Sequence, residues 1–169
     1  MKKYILNGKA FIFGDDISTD HIAPGRHFHL RSNLPELSKH VLEDVYPDFY
    51  EKISPGDFIV AGNNFGLGSS REHAPRIIKI AGVGAVIAKS FARIFFRNAI
   101  NVGLPVIMID TENIQEGDEL VVDLDSGVVR NVTRDFELEF PPLPQVMQTI
   151  LKDGGLVSHI NQHGDIMTD

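Results

Sequence analysis

The run Gly66-Leu67-Gly68-Ser69-Ser70-Arg71-Glu72 gathers residue types that handle small anions. Gly66 and Gly68 let backbone N–H groups approach a ligand with no side chain in the way. A helix expected just after the run would present free N–H groups and positive potential, which favour a carboxylate or an oxyanion. Ser69 and Ser70 add hydroxyls, and Arg71 adds a planar fork suited to bidentate carboxylate binding. Together they predict a site for a small polycarboxylate. The same residues also fit a purely architectural role. Ser69 and Glu72 match the S-x-x-E capping box, whose side chains satisfy orphan helix donors. Spacing alone leaves both readings open. The run is not a Walker P-loop, because the Lys-Ser/Thr pair is missing, nor G-x-G-x-x-G, because Arg71 stands at the last glycine position.

Other chemistry-bearing residues give weaker signals. His27 and His29 alternate, and His21 and His73 flank candidate segments, but no third spaced ligand accompanies them. No metal ligands are therefore expected in this chain. Asp15, Asp16 and Asp20 read as a solvated acidic loop rather than a cation site. Ser69 has no G-x-S-x-G motif around it to support a hydrolase triad.

The chain has 169 residues and no cysteine. That composition excludes, within this chain, a disulfide framework, a thiolate zinc site, a cysteine nucleophile and a cysteine-ligated iron–sulfur cluster. A formal charge of −7 argues against a nucleic-acid partner, although Arg93 and Arg97 could form a local basic patch. Apolar stretches such as 105–109 are too short to span a bilayer. Met1-Lys2-Lys3 opens no signal peptide, because Asn7 and Lys9 interrupt the apolar run that should follow. The expectation is a cytoplasmic protein with neither a membrane nor a nucleic-acid partner.

The elements that must position these groups follow from periodicity. Alternation predicts a strand over 4–13, followed by a long polar loop over 14–26. Pro35 predicts a helix through Leu42. A strand over 57–61 leads into the glycine run, and a helix over 71–81 follows it, with Pro75 requiring a late start or an irregular first turn. Strands are expected at 85–88 and 105–109. Between them lies a helix over 91–100 with Phe91, Ile94, Phe95 and Ala99 on one face. Further on, 119–124 and 128–132 read as a hairpin around Asp125-Ser126-Gly127, and 136–140 adds a strand. Leu143, Val146, Met147, Ile150 and Leu151 mark an amphipathic helix that ends at Gly154-Gly155, with a short helix after it. The pattern predicts one α/β domain over 1–169 with a mixed sheet, and a β-rich and helical C-terminal part from about residue 111.

Three segments resemble the aconitase superfamily when read together: Asp15-Asp16-Ile17-Ser18-Thr19-Asp20-His21-Ile22, Asn64-Phe65-Gly66-Leu67-Gly68-Ser69-Ser70-Arg71-Glu72-His73-Ala74, and Lys89-Ser90-Phe91-Ala92-Arg93-Ile94-Phe95. They stand in the order of that superfamily's swivelling C-terminal domain, over most of residues 4–110. The chain is most similar to the small subunits of 3-isopropylmalate dehydratase and its homoaconitase relatives. The resemblance implies a swivelling β/β/α domain that closes over a large subunit carrying a [4Fe-4S] cluster. It implies dehydration and rehydration of a small hydroxy-carboxylate, in leucine biosynthesis for the first of the two enzymes. Ser69 matches the family's catalytic serine, which as an alkoxide takes a proton from the carbon beside a carboxylate. Ser70 matches a neighbouring serine that supports the site, Arg71 an arginine that binds substrate carboxylate, and Asp20 an active-site aspartate.

The loop His27-Phe28-His29-Leu30-Arg31-Ser32 lies where the family reads the variable side of the substrate. Arg31 would suit an extra carboxylate, whereas Phe28 and Leu30 would suit an isopropyl group. Leu67 departs from the cysteine found in many small subunits, at a place away from the chemical groups. The competing expectation is a carboxylate-binding module without catalysis.

Overall fold

The computed structural model describes residues 3–164; the Met1-Lys2 start of the chain lies outside them. Half-apolar alternation produces β1, Ile5–Ile12. The continuous apolar runs Phe58-Ile59-Val60-Ala61 and Ala85-Val86-Ile87-Ala88 become β2 and β3, buried along their whole length. Such runs belong to parallel strands covered on both faces. β4, Val106–Met108, completes the parallel part. β5 (Glu119–Asp123), β6 (Val128–Asn131) and β7 (Phe136–Glu139) form the antiparallel part.

The seven strands make one mixed sheet in the order β4-β3-β2-β1-β5-β6-β7. β1 is the pivot. Its C-terminal half pairs parallel with β2, from Ala10 opposite Phe58 to Ile12 opposite Val60. Its N-terminal half pairs antiparallel with β5, from Ile5 opposite Asp123 to Lys9 opposite Glu119.

Alternate residues of the parallel strands enter two different cores. Ile59, Ala61, Val86 and Ala88 pack against helical residues such as Ile77, Ile78, Phe95 and Ala99. Phe58, Val60, Ala85 and Ile87 pack against Leu120, Val122 and Val129 of the antiparallel strands. The sheet therefore curls over itself and gives layers of sheet on sheet on helix, the β/β/α arrangement expected from the sequence.

The helices lie close to expectation, with instructive differences. The loop over 14–26 contains α1, Thr19–Ile22, and leads into a 3-10 turn over Gly25–Leu30. Ser18 caps α1 by accepting from the His21 N–H at 3.1 Å, while His21 Nδ1 accepts from the Ser18 N–H at 3.0 Å. α2 spans only Leu34–Ser38, short of Leu42. His40 bonds back three residues to Leu37, and buried Leu42 turns left-handed at φ 56°, so no regular helix survives there. A further short helix, α3, covers Phe49–Lys52.

α4 runs over His73–Ile80, two residues later than expected. Pro75 falls in its first turn, where the missing N–H costs nothing. α5 spans Arg93–Val102 and buries Phe95, Ala99 and Ile100, but Ile94 stands 52% exposed instead of joining that face. α6 (Gln145–Lys152) and α7 (Leu156–His163) close the helical layer.

Candidate active site

The loops that leave β1, β2 and β3 at their C-terminal ends meet at one edge of the parallel sheet, where open α/β sheets gather ligands. They are stitched by backbone hydrogen bonds. Gly66 N–H donates to Ile17 O at 2.7 Å and Thr19 N–H to Leu67 O at 2.8 Å. Phe65 N–H donates to Ser90 O at 3.0 Å, and Ala92 N–H to Phe65 O at 2.9 Å. Asp15 accepts from the Asn63 N–H at 2.7 Å, and Asp16 from the Asn64 amide at 3.1 Å. These two acidic residues hold loops together.

Here a cleft of about 200 Å³ opens, with Thr19, Gly66 and Gly68–Arg71 on one wall and Ala92–Phe95 with Asn98 on the other. Gly66 has φ +86°, and a Cβ there would stand 2.2 Å from Phe95 Cγ. Only glycine lets α5 come this close to the loop. Ala92 precedes α5 without a side-chain cap. The N–H groups of the first turn of α5 therefore lack partners inside the helix and bring positive potential to the cleft. The helix end that serves the glycine run is α5 and not α4.

This geometry removes the capping reading of Ser69. α4 begins at His73, and the residue that caps it, Glu72, makes no side-chain capping bond. Ser69 and Glu72 form no capping box. Instead the Ser69 carbonyl accepts from Thr19 Oγ1 at 3.0 Å and from the Arg71 N–H at 2.8 Å. The backbone at Ser69 is thus fixed, while Ser69 and Ser70 remain exposed.

Arg71 is three-quarters buried, and its Nη1 donates to Asp20 Oδ1 at 3.1 Å and to Ala23 O at 2.7 Å. Asp20 Oδ1 also accepts from the Gly25 N–H at 3.1 Å. Asp20 thereby orients the guanidinium and anchors the start of the 3-10 turn. Next to Arg71, burial pushes the His73 imidazole below its ordinary pKa, and the arginine's charge adds to this.

The structure therefore brings Asp20, Ser69, Ser70 and Arg71 together. It does not bring Arg31 to the cleft wall. The Arg31 guanidinium lies 4.3 Å over the Phe28 ring and donates to Phe28 O at 3.2 Å, on the turn beside the site. The histidines divide differently from their spacing. His27 stacks on His40 at 3.8 Å, and Glu43 bridges the two rings, accepting at 2.7 and 3.0 Å. Sequence reasoning gave no role to Thr19, to Asn98 or to the first turn of α5. Thr19 and Arg93 sit inside the segments that carry the resemblance, but nothing in a linear pattern shows which residue faces a cleft.

Comparison with known proteins gives the family and the fold. The profile of the aconitase C-terminal domain matches residues 23–112. A 3-isopropylmalate dehydratase small subunit of Archaeoglobus fulgidus is 67% identical over 159 residues, covering 94% of this chain and 96% of that one. A methanogen homoaconitase small subunit of Methanothermobacter thermautotrophicus is 52% identical, covering 92% and 90% respectively. The crystal structure of 3-isopropylmalate dehydratase from Methanocaldococcus jannaschii superposes with a TM-score of 0.91 at 42% identity, covering 95% of this chain and 96% of that one. A family model matching more than half of the chain, and a relative 67% identical over nearly all of it, place the chain: it belongs to the aconitase C-terminal domain family, among relatives named as dehydratase small subunits.

Proposed function

We propose that this chain is the small subunit of a 3-isopropylmalate dehydratase, acting in the cytoplasm with a large subunit in leucine biosynthesis. The observation that carries the reading is the placement of Ser69 and Arg71 on a cleft opposite the first turn of α5. The reaction removes water from 2-isopropylmalate and adds it back with the positions of H and OH exchanged. In the first half, Ser69 Oγ as an alkoxide takes the proton from the carbon beside a carboxylate. The C–H electron pair becomes the double bond as the hydroxyl leaves the neighbouring carbon with the C–O pair as hydroxide, which together with the abstracted proton is the water removed. Arg71 holds a substrate carboxylate, and the free N–H groups of α5 with the Arg93 charge stabilise the anionic site. Ser70 supports the same wall, and Asp20 keeps the guanidinium in place.

The [4Fe-4S] cluster of such enzymes finds no ligands here, because the chain has no cysteine. We assign it to the large subunit and no step of it to these residues. A cleft of about 200 Å³ is below the ~300–1,000 Å³ typical of ligand pockets. It fits half of a site completed by another surface.

A second reading, homoaconitase, is favoured by Arg31, a cation one turn from the site that could meet an extra carboxylate. Co-expression with the large subunit and steady-state kinetics on isopropylmalate and homoisocitrate decide between them. The proposal expects the higher kcat/KM on isopropylmalate. Arg31→Ala should change the ratio between the two substrates more than the best kcat. A preference for homoisocitrate would establish the second reading, and turnover of neither would overturn both.

A further inference from the structure

α6 ends at Lys152 with Asp153 as its cap, the chain reverses at Gly154-Gly155, and α7 carries His159 and His163 one helical turn apart. This corner lies outside the cleft described above. His159 Nδ1 stands 2.7 Å from Asp153 Oδ2, and His163 Nε2 stands 3.0 Å from the same oxygen. The two ring centroids are 4.7 Å apart. His159 is fully buried, the Asp153 side chain is 15% exposed, and His163 is 37% exposed.

We propose that Asp153, His159 and His163 form a binding site for a borderline divalent transition metal such as Zn²⁺. Two imidazoles spaced i, i+4 on one helix face and a carboxylate supply the nitrogen and oxygen donors that zinc prefers. At metal–ligand distances of about 2.0–2.2 Å, tetrahedral donors stand roughly 3.3–3.5 Å apart. The contacts of 2.7 and 3.0 Å need open by only about half an ångström. Metal binding requires each coordinating nitrogen to offer a lone pair, so a neutral imidazole keeps its proton on the other nitrogen. A water fills the fourth position on the exposed His163 side.

The second histidine–carboxylate group of the molecule makes a useful contrast. Glu43, between His27 and His40, already accepts a guanidinium nitrogen of Arg26 at 2.6 Å. A fixed cation occupies the place a metal would take. Among the described residues, the Asp153 carboxylate meets only the two imidazoles. The metal would tie α7 to the end of α6, a corner that also meets α4 (His73–Ile80) and α5 (Arg93–Val102) through Lys79, which donates to Val102 O at 2.9 Å and to Gly154 O at 3.1 Å.

The test uses the untagged full chain after chelation, titrated with Zn²⁺ and with Co²⁺. The site expects one equivalent bound, a rise of several degrees in Tm, and visible Co²⁺ bands typical of four-coordination. His163→Ala, at an exposed position, should weaken Zn²⁺ binding at least ~10-fold, and Asp153→Asn should do the same. His40→Ala should leave binding unchanged. Absence of a Zn²⁺-dependent shift in the wild type would overturn the site. So would a shift that survives both His163→Ala and Asp153→Asn, or one abolished by His40→Ala.

Discussion

Ser69 is held by its backbone and left open at its side chain. Thr19 Oγ1 and the Arg71 N–H both donate to its carbonyl, which places the hydroxyl without consuming it. Because Ser69 caps nothing, Ser69→Ala should change unfolding free energy by no more than about 0.5 kcal/mol, the usual range for an exposed position without a special role. Loss of a general base should cost about 10²–10⁴-fold in kcat. Melts of the variant and activity with the large subunit check both halves. A variant that turns over within a few-fold of wild type would remove the serine from the chemistry. Arg71→Lys keeps the charge but loses the planar fork that now reaches both Asp20 and Ala23. It should raise KM as well as lower kcat. The residue types of this site were legible in the glycine run. The choice between base and cap was not, because S-x-x-E spacing is silent on where the helix starts. α4 starts at His73, which removes the cap, and the kinetics of Ser69→Ala test the base.

At the scale of elements, the hairpin was legible because Asp125-Ser126-Gly127 marks its turn, whereas the polar bolt that locks it to the sheet was not. Asp118 is buried just before β5 and accepts from Gln115 N–H, Asn131 Nδ2 and Arg134 Nε at 2.8, 2.8 and 2.9 Å. These partners stand too far apart in sequence to form a motif. Burial raises the Asp118 pKa, but the hydrogen bonds and the Arg134 charge outweigh it and hold the carboxyl below its ordinary value. A depressed folded pKa stabilises the fold fully above the unfolded value of about 3.9, and that contribution is lost as pH falls through the folded value. Asp118→Asn should therefore cost roughly 1–3 kcal/mol at pH 7, as for a buried hydrogen-bonded charge. The gap to wild type should narrow at pH 3. Urea unfolding at both pH values tests this, and an equal gap at both would show that the charge contributes nothing. The role of α5 was hidden in a different way. Its apolar face predicts a buried helix, but that its first turn faces the glycine run depends on Gly66 admitting Phe95, a contact between residues 29 apart in sequence.

At the scale of the molecule, the alternation of strands and helices made the mixed sheet readable, but not how far its antiparallel half curls over the parallel half. That curl seals the far face of β2 and β3 and leaves their C-terminal edge as the open end. Ser69, Ser70 and Arg93 are exposed at this edge, and two large apolar side chains stand near it, Phe28 at 48% and Ile94 at 52% exposure. Fixed dipoles stabilise an oxyanion most strongly where water is excluded. This edge supplies the dipoles of α5 and the charge of Arg71 but no cover. Catalysis therefore requires a second surface, and burial of Phe28 and Ile94 would contribute to holding it. The purified chain alone should show no dehydratase turnover and hold no stoichiometric iron, since it has no cysteine. Adding the large subunit should restore activity in proportion to complex formed. Iron analysis, activity and analytical ultracentrifugation on the chain with and without the large subunit test this. Turnover by the isolated chain would mean that the cleft excludes water unaided and that the half-site reading is wrong.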